Sequence, residues 1–97
     1  MRILKSEEFL LSLQEIMEFI AEDSVAEAIS FERRFEEKID ALPFSPYKYR
    51  RSIFFSDDDI RDLIFKGYVI PYLIDREHSA LLILGMTKYR ENPFPRA

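Results

Sequence analysis

Three short groups of residues in this chain carry side chains that could do chemistry. Arg61 stands in Ile60-Arg61-Asp62-Leu63-Ile64-Phe65, a segment whose apolar residues leave no solvation reason for a guanidinium. There it can make a bidentate contact to a carboxylate or phosphate of a partner. It can equally pair internally with Asp59, Asp62 or a helix glutamate. Lys88-Tyr89-Arg90 joins two cations to a phenol. Such a group can stabilise the charge that develops in phosphoryl transfer, with the tyrosine stacking on a base or moving a proton. It also suits a polar strand exit or a partner surface. Tyr47-Lys48-Tyr49-Arg50-Arg51 interleaves rings and cations. That pattern fits base stacking with phosphate contacts, and it fits a loop pinned by its tyrosines with the cations in water.

Other chemistries are excluded by composition. The 97 residues include no cysteine and one histidine, His78. Structural disulfides, thiolate metal sites, cysteine nucleophiles and multi-histidine metal centres are therefore ruled out. Two glycines are too few for a phosphate-cradling loop. Asp57-Asp58-Asp59 lacks the spaced oxygen ligands, glycine and distant bidentate carboxylate of a calcium loop, and reads as a solvated turn. No metal or cofactor is expected.

The elements that must position these groups follow from the hydrophobic pattern. Residues 2–5 form a short strand before a helix start. Ser6 is an N-cap with Glu7 and Glu8 in the first turn, and Phe9, Leu13, Ile16 and Ile20 mark one face of a helix over 7–22. Ser24 with Glu27 three residues on is a capping box, and Ala28, Phe31, Phe35, Ile39 and Leu42 define a second helix over 25–42. The short break between them predicts an antiparallel hairpin, ended by Pro43 and Pro46. Residues 43–52 are an ordered loop, and Ile53–Phe55 a short strand or a strand-like lead-in.

From Ile60 the period changes to alternation. Ile60–Phe65 and a strand from Tyr68 are joined tightly at Lys66-Gly67. After a turn at 75–78, Ser79–Met86 is a third, strongly apolar strand, central and covered on both faces. Pro71 cannot donate to a ladder and implies an edge or a bulge there. The tail from Thr87 to Ala97 is irregular. The expected fold is α+β: a short N-terminal strand and an antiparallel helical hairpin packed on a three- to four-stranded antiparallel sheet. The second sheet face is left to a partner, and residues 1–97 form one domain.

Charge is split between the two halves. Residues 1–42 hold five Lys/Arg against eleven Asp/Glu, net −6, and residues 43–97 hold nine against seven, net +2. An anionic partner would meet the second half. No apolar run is long enough to span a bilayer, and the N-terminus lacks a signal-peptide core, so the chain is expected in the cytoplasm without a membrane partner.

In this order and at this length, the chain resembles the RelE/ParE toxin superfamily of type II toxin–antitoxin systems. The hairpin residues Ser6, Phe9, Leu13, Ile16, Ile20, Ala28, Phe31 and Leu42 match its helical pattern. Arg61-Asp62-Leu63 followed by Tyr68-Val69-Ile70-Pro71-Tyr72 resembles its "Arg-x-Leu … Tyr-x-Ile-x-Tyr" hairpin. Ile83-Leu84-Gly85-Met86 with Arg90-Glu91-Asn92-Pro93 resembles its closing strand and "Arg-Asn-Pro" tail.

The resemblance implies a toxin held inactive by a cognate antitoxin, within a complex that can assemble to higher order. RelE-like members cleave mRNA on the ribosome with basic residues and a tyrosine; ParE-like members poison DNA gyrase. Three departures from the RelE pattern favour the ParE side. Val69 replaces an arginine, Arg61 and Asp62 stand where lysines are usual, and the net charge of −4 is poor for docking on rRNA. The residues expected to bind target or antitoxin are Arg50, Arg51, Arg61, Lys88 and Arg90. On the nuclease alternative Arg61, Lys88, Tyr89 and Arg90 would be catalytic. A third alternative is a non-toxic interaction module with the toxin fold.

Overall fold

The structure, a computed structural model, describes residues 1–88. Strand β1 (Arg2–Lys5) leads into α1 (Glu7–Asp23) and α2 (Val25–Ala41), and a 3-10 turn follows over Leu42–Phe44. The sheet strands are β2 (Ile60–Phe65), β3 (Tyr68–Asp75), β4 (Ala80–Ile83) and β5 (Thr87–Lys88). The caps work as their side chains allow. The Phe9 N–H donates to Ser6 Oγ at 3.0 Å and the Glu27 N–H to Ser24 Oγ at 3.1 Å. Ser24 also closes α1, its own N–H donating to the Ile20 carbonyl. One residue thus ends one helix and starts the next, which keeps the hairpin tight.

The sheet order is β1-β4-β3-β2, with β5 also paired to β3. Most pairs are antiparallel, but β1 runs parallel to β4, so the sheet is mixed. The hairpin turn places Lys66 at φ 48° and Gly67 at φ 85°. Two positive φ values in a two-residue connection match the right-handed twist of the strands it joins.

Alternation along the strands sends Leu63, Phe65, Ile70, Tyr72, Ile74, Leu81 and Ile83 to one face. These pack with Phe9, Leu13, Phe31, Phe35, Ile39 and Leu42 of the helical side into one buried cluster. Phe31 meets Phe65 edge-on at 5.2 Å between ring centroids, and Phe35 lies 5.5 Å from Phe65. Aromatic pairs in this range add attraction beyond the area they bury.

Three expectations need correction. Ile53–Phe55 is not a strand: it bends, and the only bridge on the outer edge of β2 among the described residues is Arg51 to Arg61. Around that bridge the Ser52 N–H donates to the Ile60 carbonyl at 2.8 Å and the Asp62 N–H to the Arg50 carbonyl at 3.1 Å, and beyond it the Asp62 side chain takes over. The strand expected over Ser79–Met86 ends at Ile83, and pairing resumes at Thr87–Lys88, inside the segment expected to be irregular. Between the two pairings, Ile70 and Pro71 of β3 face Leu84, Gly85 and Met86, so the opposing strand carries one extra residue. This is a bulge, and it answers the Pro71 conflict. Pro71 has no N–H to offer at that break, and its carbonyl accepts from the Leu84 N–H at 2.8 Å. The rest of the tail, from Tyr89, lies outside the described residues.

Candidate functional site

The loop after α2 and the start of β2 are tied together by charged and aromatic side chains. Tyr47 is at the centre. Its hydroxyl donates to Asp59 Oδ1 at 2.7 Å and accepts from Arg76 Nε at 2.8 Å. The guanidinium carbons of Arg61 and Arg76 lie 4.9 and 4.8 Å from its ring centroid. Arg61 is held further by two carbonyls: Nε donates to Asp58 and Nη1 to Tyr49, both at 3.1 Å. Neighbouring cations across the Arg51–Arg61 bridge would repel. Asp58 relieves this by pairing its carboxylate with Arg51 at 2.7 Å while its carbonyl serves Arg61.

On the opposite face of β2 the carboxylate of Asp62 is fully buried. Its Oδ2 accepts from Arg50 at 3.3 Å and from the Ile53 N–H at 3.1 Å, while Oδ1 has no hydrogen-bond partner. A buried carboxylate left without these donors would be strongly unfavourable, so the pair fixes the loop over this end of the sheet. Tyr72, beside Arg61 on the core face, donates its hydroxyl to the Pro46 carbonyl at 2.6 Å. Burial raises its pKa well above the ordinary phenol value; Tyr49 adds to the rise and Arg61 opposes it. Asp75, at the far end of β3, is held below the ordinary carboxylate range by hydrogen bonds from the His78 side chain and backbone.

Arg50, Arg51 and Arg61 therefore meet in one region. Lys88 does not join them. It lies on β5 opposite Tyr68, and its ammonium is 6.0 Å from the Phe19 ring. Arg61 is paired to Tyr72 on the other edge of β3. Four residues of strand separate the two levels, about 13 Å along β3. Lys88 borders a separate cleft with Ser12, Glu15, Ile16, Tyr68 and Met86. Tyr89 and Arg90 lie outside the described residues. Among the described residues no three His, Asp or Glu side chains converge as a metal site would need.

The sequence alone did not reveal Tyr47 as the hub, nor the contribution of Arg76. Arg76 sits in a turn, where a charged residue carries no periodic signal. The one sequence clue was complementarity, since four arginines share this region with Asp58, Asp59 and Asp62.

The chain is thus a helical hairpin on a small, mostly antiparallel sheet. The family model described as the ParE toxin of type II toxin–antitoxin system, parDE, matches residues 3–93. The chain belongs to the ParE toxin family. No curated protein matches it as a relative. As a ParE-family member, the chain is a toxin of the type II toxin–antitoxin class, and its family implies an antitoxin partner. Among the described residues no helix is long and apolar enough to cross a membrane.

Proposed function

We propose that this ParE-family toxin stops growth by binding a target, DNA gyrase, rather than by cutting RNA, and that a cognate antitoxin neutralises it. The observation that carries this reading is the state of Arg61. Two of its nitrogens donate to backbone carbonyls and its guanidinium carbon lies over the Tyr47 ring. Lys88 stands on the opposite edge of β3. Metal-independent RNA cleavage needs cations and an acid/base group convergent on one phosphate. An arginine committed to two carbonyls and a lysine on the far edge do not supply that convergence. Arg51, whose side chain is 68% exposed, offers the remainder of its guanidinium to a partner carboxylate or phosphate.

A supercoiling assay with purified gyrase and the full chain tests this. The expected result is inhibited supercoiling or trapped cleavage complexes; normal supercoiling at high toxin excess would remove the proposal. Primer extension on translated mRNA after induction should show unchanged transcripts, and new ribosome-dependent cuts would favour the nuclease instead. Expression of the chain alone should arrest growth, with relief by the co-expressed antitoxin. Unimpaired growth would point to a non-toxic interaction module.

A further inference from the structure

The loop leaving α2 presents an aromatic ring to solvent from a rigid frame. Phe44 is 87% exposed, the highest value among the large exposed apolar side chains of the described residues. Poor anchoring does not explain this. Two residues on, the Pro46 carbonyl is held by the Tyr72 hydroxyl at 2.6 Å, and Tyr47 is fixed by Asp59 and Arg76. Leu42, two residues before, is buried in the core. Phe44 therefore projects from backbone fixed on both sides, and an anchor already ordered loses little freedom on binding.

Beside it runs a groove of ≈ 210 Å³ lined by Ala41, Leu42, Phe44 and Tyr49, with Lys38 and Lys48 among its borders. Among the described residues the lining contains no carboxylate. Neither ammonium has a carboxylate partner among the described ion pairs. Lys48 lies only over the Tyr49 ring, at 5.6 Å. These two cations border an apolar groove without a carboxylate partner among the described residues, Lys38 from the acidic residues 1–42 and Lys48 from the mildly basic residues 43–97, and they set the character of its occupant.

We propose that this groove docks a segment of a partner polypeptide in which an aliphatic or aromatic side chain is bracketed by carboxylates. The apolar side chain lies against Ala41, Leu42 and Phe44, and the carboxylates meet Lys38 and Lys48. Glu37 and Asp40, exposed sequence neighbours of Lys38 and Ala41 on α2, disfavour a polyanion as long as a nucleic acid but leave room for a short segment with two or three acids. The proposal does not depend on gyrase being the target.

The test is an NMR titration of the isotope-labelled full chain with a synthetic peptide carrying a Leu-Phe pair between glutamates. Saturable shifts confined to the amides around Lys38, Ala41, Ser45 and Lys48 are expected. Binding should weaken at least about tenfold when lysines replace the peptide's glutamates, because the complementary charges become like charges. Phe44→Ser, at an exposed position, should keep the melting temperature and lose at least about tenfold in affinity. The Lys38→Glu, Lys48→Glu double variant should reverse the preference to the basic peptide. Shifts that map elsewhere, equal binding of acidic and basic peptides, no binding of either, or tighter binding of a thymidine oligonucleotide would each overturn the proposal.

Discussion

Tyr72 carries its hydroxyl into a buried position and spends it on one carbonyl, that of Pro46. A raised pKa means the folded state holds the phenol's proton more tightly than the unfolded chain does. The associated stability is complete below the unfolded value of about 10 and is lost as pH rises beyond it. The urea midpoint should therefore fall in alkali. Tyr72→Phe should flatten that fall while costing about 1 kcal/mol at neutral pH for the lost hydrogen bond. Asp75 behaves in the opposite sense. Its lowered pKa gives a small contribution present above the unfolded carboxylate value and lost as pH falls through its own.

At Asp62 the expected cost is larger, because Asp62→Ala leaves the Ile53 N–H without its acceptor and removes the carboxylate that pairs with Arg50. We expect about 1–3 kcal/mol, read from chemical denaturation. Of these roles little was legible in the sequence. That Arg61 would either pair internally or face a partner was visible; that it would bind two carbonyls and a ring was not. Side chain to carbonyl contacts leave no pattern in residue type.

The helices were the most legible elements, and their bounds differ from expectation by a single residue at an end. Both begin at a serine whose side chain accepts an N–H three residues on, and the apolar spacing that follows has one periodic solution. Ser24→Ala should cost about 1 kcal/mol. Ser6→Ala should cost more, since the Ser6 hydroxyl also donates to the Leu84 carbonyl at 2.9 Å and ties α1 to the segment after β4. Thermal melts of the two variants make the comparison.

Gly67→Ala tests the hairpin. An added Cβ would meet nothing within 4 Å, so only the backbone at φ 85° resists it. A loss of about 1 kcal/mol is expected. The bulge opposite Pro71 was half legible: a proline in a strand announces an irregularity without saying which neighbour supplies it. The parallel pairing of β1 was not legible at all, because four residues carry no information about a partner nearly eighty positions away.

Across the whole molecule, apolar side chains remain outside the core on the hairpin itself. Leu10, Leu11 and Phe19 of α1 and Val25 and Ile29 of α2 are all exposed, Phe19 to 61%. A chain with this much uncovered apolar surface should self-associate when its partner is absent. Sedimentation of the free toxin is expected to show concentration-dependent association that the antitoxin suppresses. A monodisperse monomer across the same range would count against a partner covering this surface.

The pairing of β1 with β4 has a consequence for how the toxin is made. Arg2 lies opposite Ala80 and Lys5 opposite Ile83, so the first strand synthesised waits for nearly the last. At about 5–20 residues per second, a growing chain spends several seconds as helices without a completed sheet to pack on. Closure of such a distant contact is slow. The toxin therefore becomes a folded surface late in its own synthesis, and an antitoxin made alongside it has that interval in which to be ready.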